Sequence, residues 1–218
     1  MRRQSFDQHL ERLHRTLLSM AALVEESIFI SVKSLVDKND ILARHVIKQD
    51  EVINSLELEI ETGCFRTIAL QQPVGSDLRR IGTMLKISAD LERMGDYAAS
   101  ISKTAIRLKG EKFVKPLIDI PEMAKIVKEM VRDSLNAYIS GNQEEAIRIA
   151  QRDDEVDKFY TIIFDDLITV MKKDPINIHQ GSHLLLVAQY LERIADHVTN
   201  ICEWILYMKT GEIRALNL

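Results

Sequence analysis

Phe6, Leu10, Leu13, Leu17, Met20 and Val24 follow one another at alternating steps of four and three, and Ser27 and Ser31 continue the series. This spacing lays them along one stripe and predicts a long bundle helix that buries it. The stretch DKND at Asp37 to Asp40 ends that helix and offers a cap for the next. The second helix runs from about Asp40 to Gln71 and stops at QPVGS, where Pro73 and Gly75 break the pattern. A third spans about Ser76 to Lys109. In GEKFVKPLIDIP, Gly110 to Pro121, a glycine, two prolines and lost periodicity coincide, so this stretch reads as a linker.

The pattern then starts again. A helix from about Glu122 to Ser140 is followed by a turn at Gly141 and a fifth helix to about Lys173. Asp174 and Pro175 break the chain before a last helix that ends near Thr210. DEV at Asp50 to Val52 recurs at Asp154 to Val156, and LER at Leu91 recurs at Leu191, offsets of 104 and 100. A register kept this closely across two different helices indicates duplication of a three-helix unit. The expected fold is all-α: two tandem, duplicated three-helix bundles of long antiparallel helices, residues 1–109 and 122–218, joined by the linker at 110–121.

The stripe of the third helix continues through Ser88, Glu92, Gly95 and Ala99, and that of the last through Ala188, Glu192, Ala195 and Thr199. Asp96 and Asp196 lie one turn on, roughly 40° around the helix from their glutamates. The second helix of each unit adds an aspartate to its own stripe, Asp50 in one and Asp154 in the other, with Asp157 a turn later. Like charges at this spacing cost a helix a few tenths of a kcal/mol, and carboxylates taken out of water cost far more unless they are compensated. Two kinds of partner would compensate them. A metal ion suits the small residues Gly95 and Ala195, and an all-oxygen ligand set favours Mg, Mn or Fe while admitting Ca and Zn. Alternatively, Arg93 and Arg193, beside each glutamate, form ordinary salt bridges with helices nearby. Glu26 and Asp133, at matching places in the first helix of each unit, are weaker ligand candidates. Glu11-x-x-His14 is half of a ferritin-like di-iron motif, but the chain has no second half. His183 and His197 fall off the stripe and read as surface residues.

Composition narrows the class. Aromatic residues make up 6% of the 218-residue chain, with 8 Gly and 4 Pro, and no stretch sustains strand alternation. The net charge of -4 provides no basic field for nucleic acid. The longest clean apolar run, LLLVA at Leu184 to Ala188, falls far short of the ~20 residues that span a bilayer. Asp7 and Glu11 interrupt the first twenty residues, unlike a signal peptide. A soluble, cytoplasmic protein is expected. Cys64 and Cys202 lie far apart and form no CxxC, which reads as two packed free thiols, a disulfide being the alternative the sequence leaves open.

With ERMGD at Glu92 to Asp96 and ERIAD at Glu192 to Asp196, set within DLERMGDYA and YLERIADHVTNI, the whole chain resembles the PhoU family of bacterial regulators of phosphate uptake. QDE and RDDEVD, around Asp50 and Asp154, fit the same resemblance. Tyr190 stands where the first copy has Asp90, so a ligand role for Asp90 is not duplicated. The resemblance implies an accessory protein, not an enzyme, that represses the phosphate-starvation response when phosphate is plentiful. It implies two partners, the ATPase subunit of the phosphate ABC transporter and a sensor histidine kinase, through which the protein is peripheral to the membrane. Some members carry metal clusters on the paired acidic motifs. Asp50, Glu92 and Asp96, and Asp154, Glu192 and Asp196, are therefore the expected ligands of divalent or iron-type ions (Fe, Mn, Mg or Zn), in a chain expected to form a homodimer. The rival function is a metal-dependent helical-bundle enzyme, an oxidase or hydrolase. It lacks a Ser, Cys or His set beside a recognisable base.

Overall fold

The computed structural model describes residues 2–216; residues 1, 217 and 218, at the outer ends of the two expected repeats, lie outside the described residues. The first unit is α1 (Arg2–Val36), α2 (Asp40–Gln71) and α3 (Ser76–Leu108). The second is α4 (Asp119–Ser140), α5 (Gln143–Ala150), α6 (Asp153–Lys173) and α7 (Ile178–Thr210). The fold is all-α, a doubled three-helix plan, as the periodicity predicts. Local chemistry fixes the ends. Asn39 caps α2 by accepting hydrogen bonds from the N–H groups of Ile41 and Leu42 at 3.0 and 3.2 Å. At Gly141 (φ 62°) and Gly211 (φ 79°) left-handed backbone closes α4 and α7, a conformation that costs any residue with a Cβ.

The fifth helix is not continuous, contrary to the sequence reading. It breaks at Gln151 and Arg152, where the Arg152 N–H bonds three residues back to the Ile149 carbonyl at 3.0 Å. The side chain explains the break: the Arg152 guanidinium reaches α4, bonding Glu129 at 3.0 Å and Asp133 at 3.3 Å. The last helix also has a prelude, a single 3-10 turn at Pro175–Asn177 whose first turn Asp174 caps.

One hydrophobic core runs through both units. α3 and α7 lie at its centre and run antiparallel, as matched contacts show: the Thr83 hydroxyl donates to the Trp204 carbonyl, Asp90 meets His197, and Tyr97 stacks on Tyr190. α3 is flanked by α1, α2 and α7, and α7 by α3, α4, α5 and α6. No helix among the described residues is long and apolar enough to cross a membrane.

The linker is held in place by one buried side chain. Gln180, 3% exposed, accepts from the Val114 N–H at 2.6 Å and donates to the Lys112 carbonyl at 3.1 Å and to Glu111 at 2.9 Å. Gln180→Leu keeps the volume but strands the Val114 N–H and the Lys112 carbonyl, each at a cost of about 1–3 kcal/mol if it stays dry. A lower denaturant midpoint and faster amide exchange at Val114 are the expected results; an unchanged midpoint would show that water replaces the amide.

Candidate functional site

Leu91, Met94 and Gly95 turn into the core, which leaves Glu92 and Asp96 on the flank of α3 that faces α2. Gly95 permits the close approach of that helix: a Cβ there would sit 3.2 Å from Asp50 Oδ1 and 3.2 Å from Ile53. Asp50 therefore lies against the backbone of the motif that carries Glu92 and Asp96. In α7, Leu191, Ile194 and the buried Ala195 play the same parts.

Each motif carries its own clamp. Arg93 Nε lies 3.4 Å from Glu92 and its Nη1 3.2 Å from Asp96; Arg193 repeats this at 3.5 and 3.1 Å with Glu192 and Asp196. The expected arginine salt bridges to nearby helices are not what forms: in both halves the arginine pairs with the carboxylates of its own helix. These pairs are only a partial answer. Glu92 is raised in pKa by burial first and then by the Asp96 charge, with Arg93 opposing. Asp50 is raised by burial, then by Asp96, with Glu92 adding and Lys103 opposing. Burial and Asp196 likewise raise Glu192, and Asp157 and Asp153 add to the effect. Asp50 Oδ1 and Glu192 Oε2 are buried and accept no hydrogen bond.

In the second half the aspartates are placed one residue away from the sequence register. Asp154 is exposed, whereas Asp153 is 7% exposed and adds its charge to the field at Glu192. Arg152, just before Asp153, holds the relation to α4 that Gln49, just before Asp50, holds to α1: Gln49 donates to Glu26 at 3.2 Å, Arg152 to Asp133. One extra residue before DEV shifts the match by a residue, which on a helix turns the side chain about 100°. Glu26 and Asp133 are thus held by neighbours on the second helix of each unit.

His14 and His183 have partners outside the acidic motifs, whereas His197 is near enough for its charge to oppose the rise at Glu92. His14 Nδ1 is 3.4 Å from the Tyr138 hydroxyl, and Glu11 pairs with Arg15. His197, read from the sequence as a surface residue, is partly buried: its Nδ1 lies 2.8 Å from Asp90, which also accepts from Asn200 at 3.3 Å. His183 is partly buried as well, 3.5 Å from Arg107. The sequence did contain a signal for the Asp90 contact, since both Asp90/Tyr190 and Tyr97/His197 break the repeat's symmetry.

Buried carboxylate oxygens that accept no hydrogen bond, mutual repulsion and an all-oxygen donor set fit a hard cation in chemistry. Among the described residues no group of three or more His, Cys, Asp or Glu is assembled to hold a metal ion, so these are open acidic patches rather than closed cages. Cys64 and Cys202 are both buried free thiols, each pushed up to about 12 by burial.

A doubled helical bundle with one Glu-x-x-x-Asp patch per half defines the class: a tandem-repeat protein with paired acidic faces. The chain belongs to the PhoU family, whose domain matches residues 17–105 and 120–205. A relative from Clostridium acetobutylicum, named a phosphate-specific transport system accessory protein PhoU homolog, is 41% identical over 218 residues and covers 100% of both chains. The crystal structure of PhoU from Pseudomonas aeruginosa is similar at a TM-score of 0.91, with 34% identity over 95% of this chain and 100% of that one. The phosphate transport system regulatory protein PhoU from Streptococcus pneumoniae is similar at 0.89, with 34% identity over 98% of this chain and 100% of that one.

The raised carboxyls set the sign of a pH effect. A carboxyl whose folded pKa lies above its unfolded value destabilises the fold while charged, and the penalty fades as pH falls through the folded pKa toward the ordinary glutamate value of about 4.3. In chelator-treated protein Glu192→Gln should therefore raise the melting temperature at neutral pH and leave it unchanged near pH 4. A variant that melts lower than wild type at neutral pH would mean that the Arg193 pair outweighs burial and repulsion.

Proposed function

We propose that this protein is a cytoplasmic accessory regulator of phosphate uptake that represses the phosphate-starvation response while phosphate is plentiful. It acts as an adaptor between the ATPase subunit of the phosphate ABC transporter and a sensor histidine kinase, reaching the membrane through them, and functions as a homodimer. One observation carries the reading: full-length similarity to proteins named as phosphate-transport accessory and regulatory factors, with the acidic motif kept in both halves. In this reading metal ions join the patches, held by Asp50, Glu92 and Asp96 in the first. In the second, Glu192 and Asp196 act with Asp153 and Asp157, and Asp154 stands at the edge. A bound cation supplies charge neutralisation. The rival reading, a metal-dependent oxidase or hydrolase, has less support, because His14 and His183 are engaged with Tyr138 and Arg107 and His197, though its charge reaches Glu92, is bound to Asp90. Oxygen uptake and phosphatase turnover of metal-loaded protein separate the two.

Two experiments test the proposal. Deleting the protein in its host should leave a phosphate-starvation reporter on in rich phosphate; a reporter that stays repressed removes the regulatory role. Calorimetric titration with Mn²⁺ should show one site fewer in Glu92→Gln/Asp96→Asn than in wild type, with the helical circular dichroism unchanged. Equal stoichiometry would take these residues out of the site, and no binding in either protein would leave the arginine clamps as the only compensation.

A further inference from the structure

At the end of the molecule where α3 begins and α4 and α7 finish, a cleft of about 690 Å³ opens between the two units. It lies 13 residues along α3 from Glu92, roughly 20 Å at 1.5 Å per residue, and is independent of the acidic patches. Arg79 and Arg80 line it from the first turn of α3, and Lys209 lines it from the last turn of α7. None of the three forms an ion pair with a carboxylate among the described residues. Arg79 Nε is moreover shielded from solvent with no acceptor, a costly state for a guanidinium nitrogen.

The backbone is shaped to the same end. Lys209 lies over Gly141, where a Cβ would fall 2.2 Å from its Cε and 2.4 Å from its Nζ, so glycine makes the seat for the ammonium. α3 starts at Gly75 without a side-chain cap, and its first internal bond is from the Arg79 N–H to the Gly75 carbonyl at 3.1 Å. The preceding N–H groups, at the positive end of the helix dipole, open beside the two arginines. The C-terminal ends of α4 and α7 oppose an anion, and the Gly141 and Gly211 N–H groups offset this in part by occupying the Ala137, Tyr138 and Tyr207 carbonyls. Two acids share the rim. Glu11 turns to Arg15 at 2.9 Å, which leaves Asp7. The cleft also contains Ser76 and Ser140, whose hydroxyls can donate, and His14, whose pKa is lowered by burial and then by Arg80.

We propose that this cleft binds a small, multiply charged oxyanion of the phosphate type, either free or carried on an organic molecule. The excess of cations over acids sets the charge, and the guanidinium forks with the open N–H groups suit a tetrahedral oxyanion. Such a ligand bridges the two units, since Arg79 and Arg80 come from the first and Lys209 from the second.

Calorimetric titration of the full chain with inorganic phosphate, and separately with ADP, at constant ionic strength in chloride, tests the site. Saturable binding of one equivalent is expected. Arg80→Gln and Lys209→Gln, both at exposed positions, should each weaken it roughly tenfold or more, the scale of one lost charge-assisted hydrogen bond. Asp7→Asn should tighten it by removing the competing charge, an effect a purely structural role for the arginines would not produce. Phosphate binding that ADP does not better assigns the free anion; ADP binding at least tenfold tighter assigns an organic phosphate. Failure of both probes to saturate overturns the proposal, as does equal affinity in wild type and a natively helical Arg80→Gln/Lys209→Gln variant.

Discussion

The antiparallel contact between α3 and α7, backed by that of α1 with α4, makes two repeats one structure, and the rest of the molecule is arranged around it. Each of these helices is buried on several sides, by its own unit and by its counterpart. Large side chains along them, among them Ile87, Leu91, Met94 and Ile101 on α3 and Leu191, Ile194, Val198 and Ile201 on α7, are fully buried. At about 1.5–3 kcal/mol each, this burial outweighs the charge repulsion the same helices carry on their outer flanks. The acidic motifs can be unfavourable in themselves because they are mounted on the most firmly held elements of the fold.

On those flanks two effects compete. The arginine of each motif bridges both carboxylates of its helix, yet Glu92 and Glu192 still titrate above the ordinary range. Burial and the neighbouring aspartate raise them, and the arginines do not offset this: with side chains 61% and 50% exposed, Arg93 and Arg193 act through water, where an ion pair is weak. Asp50, by contrast, presses its carboxylate against the glycine of the motif and adds negative charge from the buried side. Each patch thus keeps an attraction for positive charge that its own arginine does not exhaust.

Much of this was legible in the sequence. The four-and-three spacing from Phe6 to Val24, the stops at Pro73 and Gly141 and the repeated Leu-Glu-Arg located the helices and the two motifs, because amphipathic spacing and chain breakers are local properties. The break at Arg152 was not legible. Its cause is a guanidinium reaching Glu129 and Asp133 on another helix, and helical periodicity continues on either side of it. The same break moved the buried aspartate from Asp154 to Asp153, which no pattern match across the repeats could resolve. His197 was misjudged for a related reason: its position was measured against the stripe of its own unit, whereas its partner, Asp90, belongs to the other.

That partner choice reaches further than one hydrogen bond. Near the centre of the α3 and α7 contact, the pair Asp90 and His197 is matched on the other side by Tyr97 and Tyr190, which stack with ring centres 5.7 Å apart. If two first halves from different chains paired in the same register, each Asp90 would face a Tyr97. If two second halves did so, each His197 would face a Tyr190. Only a first half against a second half gives the acid its imidazole and the tyrosine its stack. Duplication alone would have produced halves as ready to pair with their own kind as with each other; the divergence at these four positions makes the halves complementary, and so disfavours the pairing of like halves, first with first or second with second, from different chains.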